Sequence, residues 1–149
     1  MTGATPPMRP RYNRFWSGEE ALWSDKEPMT VAPLISVVDD DASLRDSLKG
    51  LLKSLGYEYA VFSSAEDFLS SEALAKSRCL ILDVCMPGMS GPELQRELIK
   101  RGQKIPIIFI TAHGDENDAR TMAAGAVACL LKPYSEEALL KAIDRALSG

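Results

Sequence analysis

Histidine occurs once in the 149 residues, as His113, and cysteine three times, as Cys79, Cys85 and Cys129. The cysteines are odd in number and lack metal-ligand spacing, which points away from a zinc site and from a disulfide framework. Cys79 and Cys129 lie inside apolar runs, a pattern that reads as buried free thiols in a reducing cytoplasm. Long apolar runs are also missing. None approaches the ~20 residues that cross a bilayer, and the first ten residues are small, polar and proline-rich where a secretory leader would be apolar. A cytoplasmic protein without membrane attachment is expected. Excess charge of one sign is absent: 17 Lys and Arg stand against 21 Asp and Glu, a formal net charge of −4. With no basic stripe, direct nucleic-acid contact is not expected. The apolar share of 46% and charged share of 26% are those of an ordinary globular protein, and the length suits one domain.

Residues 1–32 differ from the rest of the chain. Pro6, Pro7, Pro10 and Pro28 mix there with Arg9, Arg11, Arg14, Tyr12, Phe15, Trp16 and Trp23, and no helical or alternating period persists. The expectation is a poorly ordered N-terminal extension, with docking of its aromatics on the domain or a partner as the sharper alternative. Met29 precedes the globular pattern and is an alternative start. The folded domain is expected over 33–149.

From Leu34 onward, short apolar runs alternate with amphipathic stretches. The runs are Leu34–Val38, Tyr57–Phe62, Leu80–Val84, Ile105–Ile110 and Val127–Leu131. Between them, Leu44, Leu48, Leu51, Leu52 and Leu55 share one helical face, and Leu139, Ala142, Ile143 and Ala146 repeat the stripe near the C-terminus. Ser63-x-x-Glu66 and Ser90-x-x-Glu93 read as capping boxes, with Pro92 in an early helical turn. Gly56, Gly102 and Gly125 stand where helices would end. Five strand–helix units in strict alternation predict an α/β fold, a doubly wound parallel sheet covered on both faces. Right-handed crossovers bring every strand C-terminus to one edge, which is where such sheets bind ligands.

At those predicted ends stand Asp39-Asp40-Asp41 after the first strand, Asp83 after the third, Thr111 after the fourth and Lys132 after the fifth. Carboxylates crowded at one edge repel one another, and a divalent cation relieves the conflict. Oxygen-only ligands suit Mg²⁺, which keeps several waters and shares phosphate oxygens readily. Lys132 supplies a point positive charge and Thr111 a hydroxyl donor. Phosphoryl transfer needs little more than such positioning and charge neutralisation. Each feature alone has a plain structural alternative. Asp41 could simply cap a helix, and an Asp before Met86-Pro87-Gly88 could serve the turn. The compatible groups at four of the five strand ends are harder to assign to chance.

These residues resemble the receiver domain of bacterial response regulators, over roughly Leu34 to Leu147. The resemblance rests on Val37-Val38-Asp39-Asp40-Asp41, on Leu80-Ile81-Leu82-Asp83 with Val84-Cys85-Met86-Pro87-Gly88, on Ile110-Thr111-Ala112 and on Leu131-Lys132-Pro133-Tyr134. It implies a flavodoxin-like (βα)5 fold with strand order 2-1-3-4-5. It also implies that Asp83 accepts a phosphoryl group from a histidine kinase or histidine phosphotransfer protein. Asp40, Asp83 and the Cys85 backbone carbonyl would then bind Mg²⁺ directly, and Asp39 mainly through a metal-bound water. Thr111 would hydrogen-bond the phosphoryl group, Lys132 would pair with it, and the Lys132–Pro133 bond would be cis. Ser64-Ala65-Glu66-Asp67-Phe68-Leu69 and Thr111-Ala112-His113-Gly114-Asp115 are similar to the nitrogen-fixation regulator subgroup. Those regulators usually carry a DNA-binding output domain, and none is expected within this sequence. A downstream protein partner would read the face of the fourth helix, fifth strand and fifth helix.

Cys129 departs from the family pattern, since an aromatic residue is common three positions before the lysine. Rotamer change there is expected to be secondary to the loop shift after Thr111. Cys85 and His113 hold the two variable positions flanking the acyl phosphate, and His113 is expected to be a plain loop histidine. Two rivals remain. One is a receiver-like interaction module that is never phosphorylated. The other is a haloacid-dehalogenase-like phosphatase using Asp39-x-Asp41, which leaves Asp83 unexplained and lacks an acidic pair after Lys132.

Overall fold

The computed structural model describes residues 32–112 and 125–148. The proposed extension and His113 therefore lie outside the described residues. In chain order the elements are β1 (Leu34–Val38), α1 (Ala42–Ser54), β2 (Glu58–Phe62), α2 (Ala65–Leu69), α3 (Ala73–Lys76), β3 (Ser77–Asp83), α4 (Gly91–Lys100), β4 (Ile107–Thr111), β5 (Ala128–Leu131) and α5 (Glu136–Ser148). The five strands form one sheet in the order β2-β1-β3-β4-β5, and β1, β3, β4 and β5 pair in parallel.

The inner strands are continuous apolar runs because both their faces are covered. Every residue of β4 is buried, as are the last five of β3 and the last four of β1. The outer strands β2 and β5 are only half-buried, as their edge positions dictate. Phe68 of α2 and Phe109 of β4 are fully enclosed in a core shared with Leu80, Leu82, Leu94 and Leu98. Each buried side chain of that size contributes roughly 1.5–3 kcal/mol. Phe62 meets Phe68 edge to face with ring centroids 5.5 Å apart.

The described residues fall into two units. Leu34–Leu48 with Ala60 onward carries most of the sheet and all the candidate site residues, and Lys49–Tyr59 belongs to the other. Within the latter, α1 ends as Gly56 turns at φ 84° and the Tyr57 N–H bonds the Leu52 carbonyl.

Several sequence expectations shift. β2 starts at Glu58 and β5 at Ala128, each one residue later than the apolar run. β3 spans Ser77–Asp83, starting before its apolar run because the ladder already pairs Ser77 with Leu34 and Cys79 with Ile35. β4 is Ile107–Thr111, Pro106 supplying no N–H for the ladder. The stripe of α1 narrows: Leu48 and Leu52 are buried, whereas Leu55, past the helix end, is 39% exposed. The stripe Leu139, Ala142, Ile143 and Ala146 on α5 is buried throughout. The second crossover is broken into two short helices, α2 and α3. Ser90 and Glu93 form the predicted capping box with Pro92 in the first turn. The Ser63–Glu66 box does not form. Ser64 is the N-cap instead, and its hydroxyl accepts from the Asp67 N–H.

Candidate functional site

Register sets the height of each functional side chain above the sheet edge. Val38 is level with Leu82, so Asp39 and Asp83 leave adjacent strands at the same height. Asp83 is level with Ile110, and Thr111 with Leu131, so Thr111 and then Lys132 each sit one residue beyond their neighbour. The result is a staircase that ends with the lysine overhanging the acids. Backbone bonds fix the steps, with Val84 N–H donating to the Ile110 carbonyl at 2.9 Å and Lys132 N–H to the Thr111 carbonyl at 2.8 Å.

Asp39, Asp40 and Asp83 each bring a carboxylate oxygen within 4.8 Å of the others. Asp39 and Asp83 are buried and Asp40 is exposed. Lys132 Nζ lies 3.5 Å from Asp39 Oδ2 and 3.7 Å from Asp83 Oδ1. One ammonium cannot balance three carboxylates. Burial, then the Asp39 charge, pushes the Asp83 carboxyl up to about 6; Asp40 adds to the rise, while Lys132 and the Cys85 N–H oppose it. Burial and the Asp39 charge also raise the half-buried Tyr134 phenol. The donor set is all oxygen and acidic, with no thiol or imidazole in the group, which suits a hard divalent cation.

Asp41 points elsewhere. Its Oδ1 accepts from the Ser43 N–H at 2.9 Å, the Ser43 hydroxyl at 2.8 Å and the Leu44 N–H at 3.4 Å, capping α1. Those bonds, the Ser43 hydroxyl first, hold its carboxyl below the usual range. A phosphatase reading needs Asp41 beside Asp39 in the pocket, and this cap removes it. The Asp41 N–H instead donates to Asp39 Oδ1 at 2.8 Å, orienting the buried acid.

Thr111 is 8% exposed at the end of β4. Cys129, level with Phe109, is only partly buried and packs on the core, so the expectation of a buried thiol there is corrected. Cys79 is fully buried, and desolvation pushes its thiol up to about 12. The Cys85 side chain is exposed. The Lys132–Pro133 bond is cis.

Three residues with structural parts in the site carried no such role in the sequence reading. Arg45 Nη1 donates to the Asp39 carbonyl at 2.8 Å, fixing the peptide between the two leading acids. Gly91 opens α4 against the end of β3, and a Cβ there would stand 2.5 Å from the Asp83 carbonyl oxygen. A glycine between a capping serine and Pro92, at the start of a helix, was the available signal for that close approach. Glu66 reaches the Asp83–Gly91 loop, accepting from the Met89 N–H at 3.2 Å.

A parallel α/β sheet with an acidic cluster and one lysine on its carboxyl edge suits a divalent cation and an anionic ligand together. Sequence comparison agrees, since a family described as the response regulator receiver domain matches residues 35–144. The chain belongs to that family, a receiver domain homologous to the response regulators of two-component systems. It is 44% identical over 118 residues to the transcriptional regulatory protein TdiR of Thauera aromatica, covering 78% of this chain and 52% of TdiR. The response regulator StyR structure superposes with a TM-score of 0.73 at 48% identity, covering 79% of this chain and 60% of StyR. FixJ-N superposes with a TM-score of 0.70 at 38% identity, covering 78% and 94%. The chain spans about half the length of the curated relatives it matches.

Proposed function

We propose that the protein is a response-regulator receiver in which Asp83 accepts a phosphoryl group from a phosphohistidine on a histidine kinase or histidine phosphotransfer protein. The observation that carries this reading is the meeting of Asp39, Asp40, Asp83 and Lys132 at one sheet edge. A carboxylate oxygen of Asp83 forms the new O–P bond as the donor's N–P bond breaks, and the imidazole keeps the bonding pair. Asp83 already stands among acids, so the incoming charge needs offsetting. Mg²⁺ would supply that neutralisation, held by Asp40, Asp83 and the Cys85 backbone carbonyl directly, with Asp39 acting through a bound water. Lys132 would pair with a phosphoryl oxygen in place of its present carboxylate partners, and the Thr111 hydroxyl would donate to another. Drawing Thr111 toward the new oxygens pulls the chain beyond it. A downstream partner would read that shift on β5, α5 and the crossover between β4 and β5, which lies outside the described residues. The cytoplasm is the compartment that fits a kinase-fed domain of this kind. No helix among the described residues is long and apolar enough to cross a membrane.

Acetyl phosphate with Mg²⁺ should add one phosphoryl group by mass spectrometry, and hydroxylamine should remove it. Asp83→Asn should abolish the addition. Full labelling of that variant at no new site would refute the assignment.

A further inference from the structure

The sequence reads Glu66 as half of a capping box, and the structure releases it from that duty. Ser64 caps α2 through the Asp67 N–H, which leaves the Glu66 carboxylate free to act elsewhere. It reaches 23 residues along the chain, where Oε2 accepts from the Met89 N–H at 3.2 Å. The preceding residue is Gly88, with φ 75°, and a Cβ on it would stand 3.1 Å from the same Oε2. The loop backbone thus passes directly against the carboxylate at two successive residues.

That loop runs from Asp83 to Gly91 and is pinned near both ends. At the near end the Val84 N–H bonds the Ile110 carbonyl at 2.9 Å, and at the far end Ser90 and Glu93 form their reciprocal box while the Gly91 N–H bonds the Val84 carbonyl at 3.0 Å. Between those pins, Glu66 is the anchor that comes from a different crossover of the fold. The loop's peptide planes are coupled through Met86-Pro87-Gly88, and a mid-loop anchor restricts how the Cys85 carbonyl can turn.

We propose that Glu66 is a positioning residue for the phosphoryl site, a strap from α2 that holds the β3–α4 loop with the Cys85 carbonyl presented toward the acidic cluster. The proposal rests on Asp83 being the phospho-acceptor and on its loop helping to hold Mg²⁺. Residues that orient a ligand without touching the metal typically change affinity about 10–100-fold. An exposed single hydrogen bond belongs at or below the bottom of that range, roughly 3–10-fold.

The test uses the full chain and the variants Glu66→Ala, Glu66→Gln and Asp67→Asn. Mg²⁺ affinity is read from amide shifts on titration, and loop order from hydrogen exchange at Met89 without metal. Glu66→Ala should weaken Mg²⁺ binding roughly 3–10-fold and speed Met89 exchange. Glu66→Gln should restore both, because its amide oxygen still accepts. Asp67→Asn removes a neighbouring charge from the first turn of α2 and should change neither, separating the strap from helix electrostatics. Mg²⁺ moving the Cys85–Met89 amides equally in wild type and Glu66→Ala, or in neither, overturns the strap. Wild type that fails to accept phosphate while Glu66→Ala still weakens Mg²⁺ binding sinks the assignment of Asp83 and leaves the strap standing.

Discussion

Neutralising Asp83 should make the metal-free protein more stable above neutral pH, and the size of the gain can be worked from the site. The Asp83 carboxyl is raised from 3.8 to about 6 by burial and by Asp39. A folded-state value above the unfolded one means that the group's contribution is fully present below pH ~4. It is lost as pH rises through 6, because the unfolded chain releases the proton first. The difference is about 2 units, or about 3 kcal/mol as a ceiling once the folded carboxyl is ionised. Relaxation and water entry reduce this to roughly 1–3 kcal/mol. For a chain of this size that is roughly 3–10 °C in melting temperature. Asp83→Asn keeps the shape, leaves Lys132 its Asp39 partner at 3.5 Å, and carries no charge to desolvate. Thermal unfolding in EDTA from pH 4 to pH 8 should show curves that meet near pH 4, separate as pH rises to 6 and run parallel above it, the variant higher. Mg²⁺ should raise the wild type by linkage and the variant much less. If the variant melts at or below the wild type at pH 8, Asp83 is making stabilising bonds that outweigh its crowding, and the reasoning fails.

Gly91→Ala should destabilise by about 1–3 kcal/mol, since its Cβ meets the Asp83 carbonyl oxygen and the Phe109 ring; a chemical denaturation midpoint equal to wild type would contradict the close approach. In native buffer at pH 8 a soluble thiol reagent should label Cys85 quickly and Cys79 only on unfolding, given the exposure of one and the burial of the other. Equal rates would mean that β3 opens readily. Cys129→Ala should leave the beryllofluoride-induced amide shifts of Thr111 and Ala112 largely intact; their loss, with Mg²⁺ binding preserved, would make the cysteine the switch.

Most of the fold can be read from the chain because its inner strands are nearly unmixed apolar runs. Leu80-Ile81-Leu82 and Ile107-Ile108-Phe109-Ile110 have one place to go, the middle of a covered sheet. The misreadings are concentrated where local chemistry offers near-equal choices. Ser63 and Ser64 are adjacent hydroxyls before one short helix, and both precede an acid three residues on, Glu66 and Asp67. Pattern alone does not choose between them. Tertiary geometry does, because Glu66 gains the Met89 N–H when Ser64 caps. The ends of β2, β4 and β5 likewise depend on ladder bonds across the sheet, which no local period records.

The site poses the same problem in a sharper form. Three consecutive aspartates look interchangeable in sequence, yet each has a different task in space. Asp39 leaves the strand at its last buried position, so its carboxylate turns inward and must be held, which the Asp41 N–H and Lys132 do. Asp40 stands at the bend that follows the strand and stays exposed while still within reach of the cluster. Asp41 precedes the first helical residue, where three donors converge on its carboxylate. Capping preference predicts Asp41, whereas the split between Asp39 and Asp40 arises in the turn beyond β1. The overhang of Lys132 has no such local signature. It needs the stagger of β4 against β3 and of β5 against β4. A one-residue slip in either pairing would move the base of that side chain by about 3.3 Å, so the register of an edge strand is itself part of the candidate site.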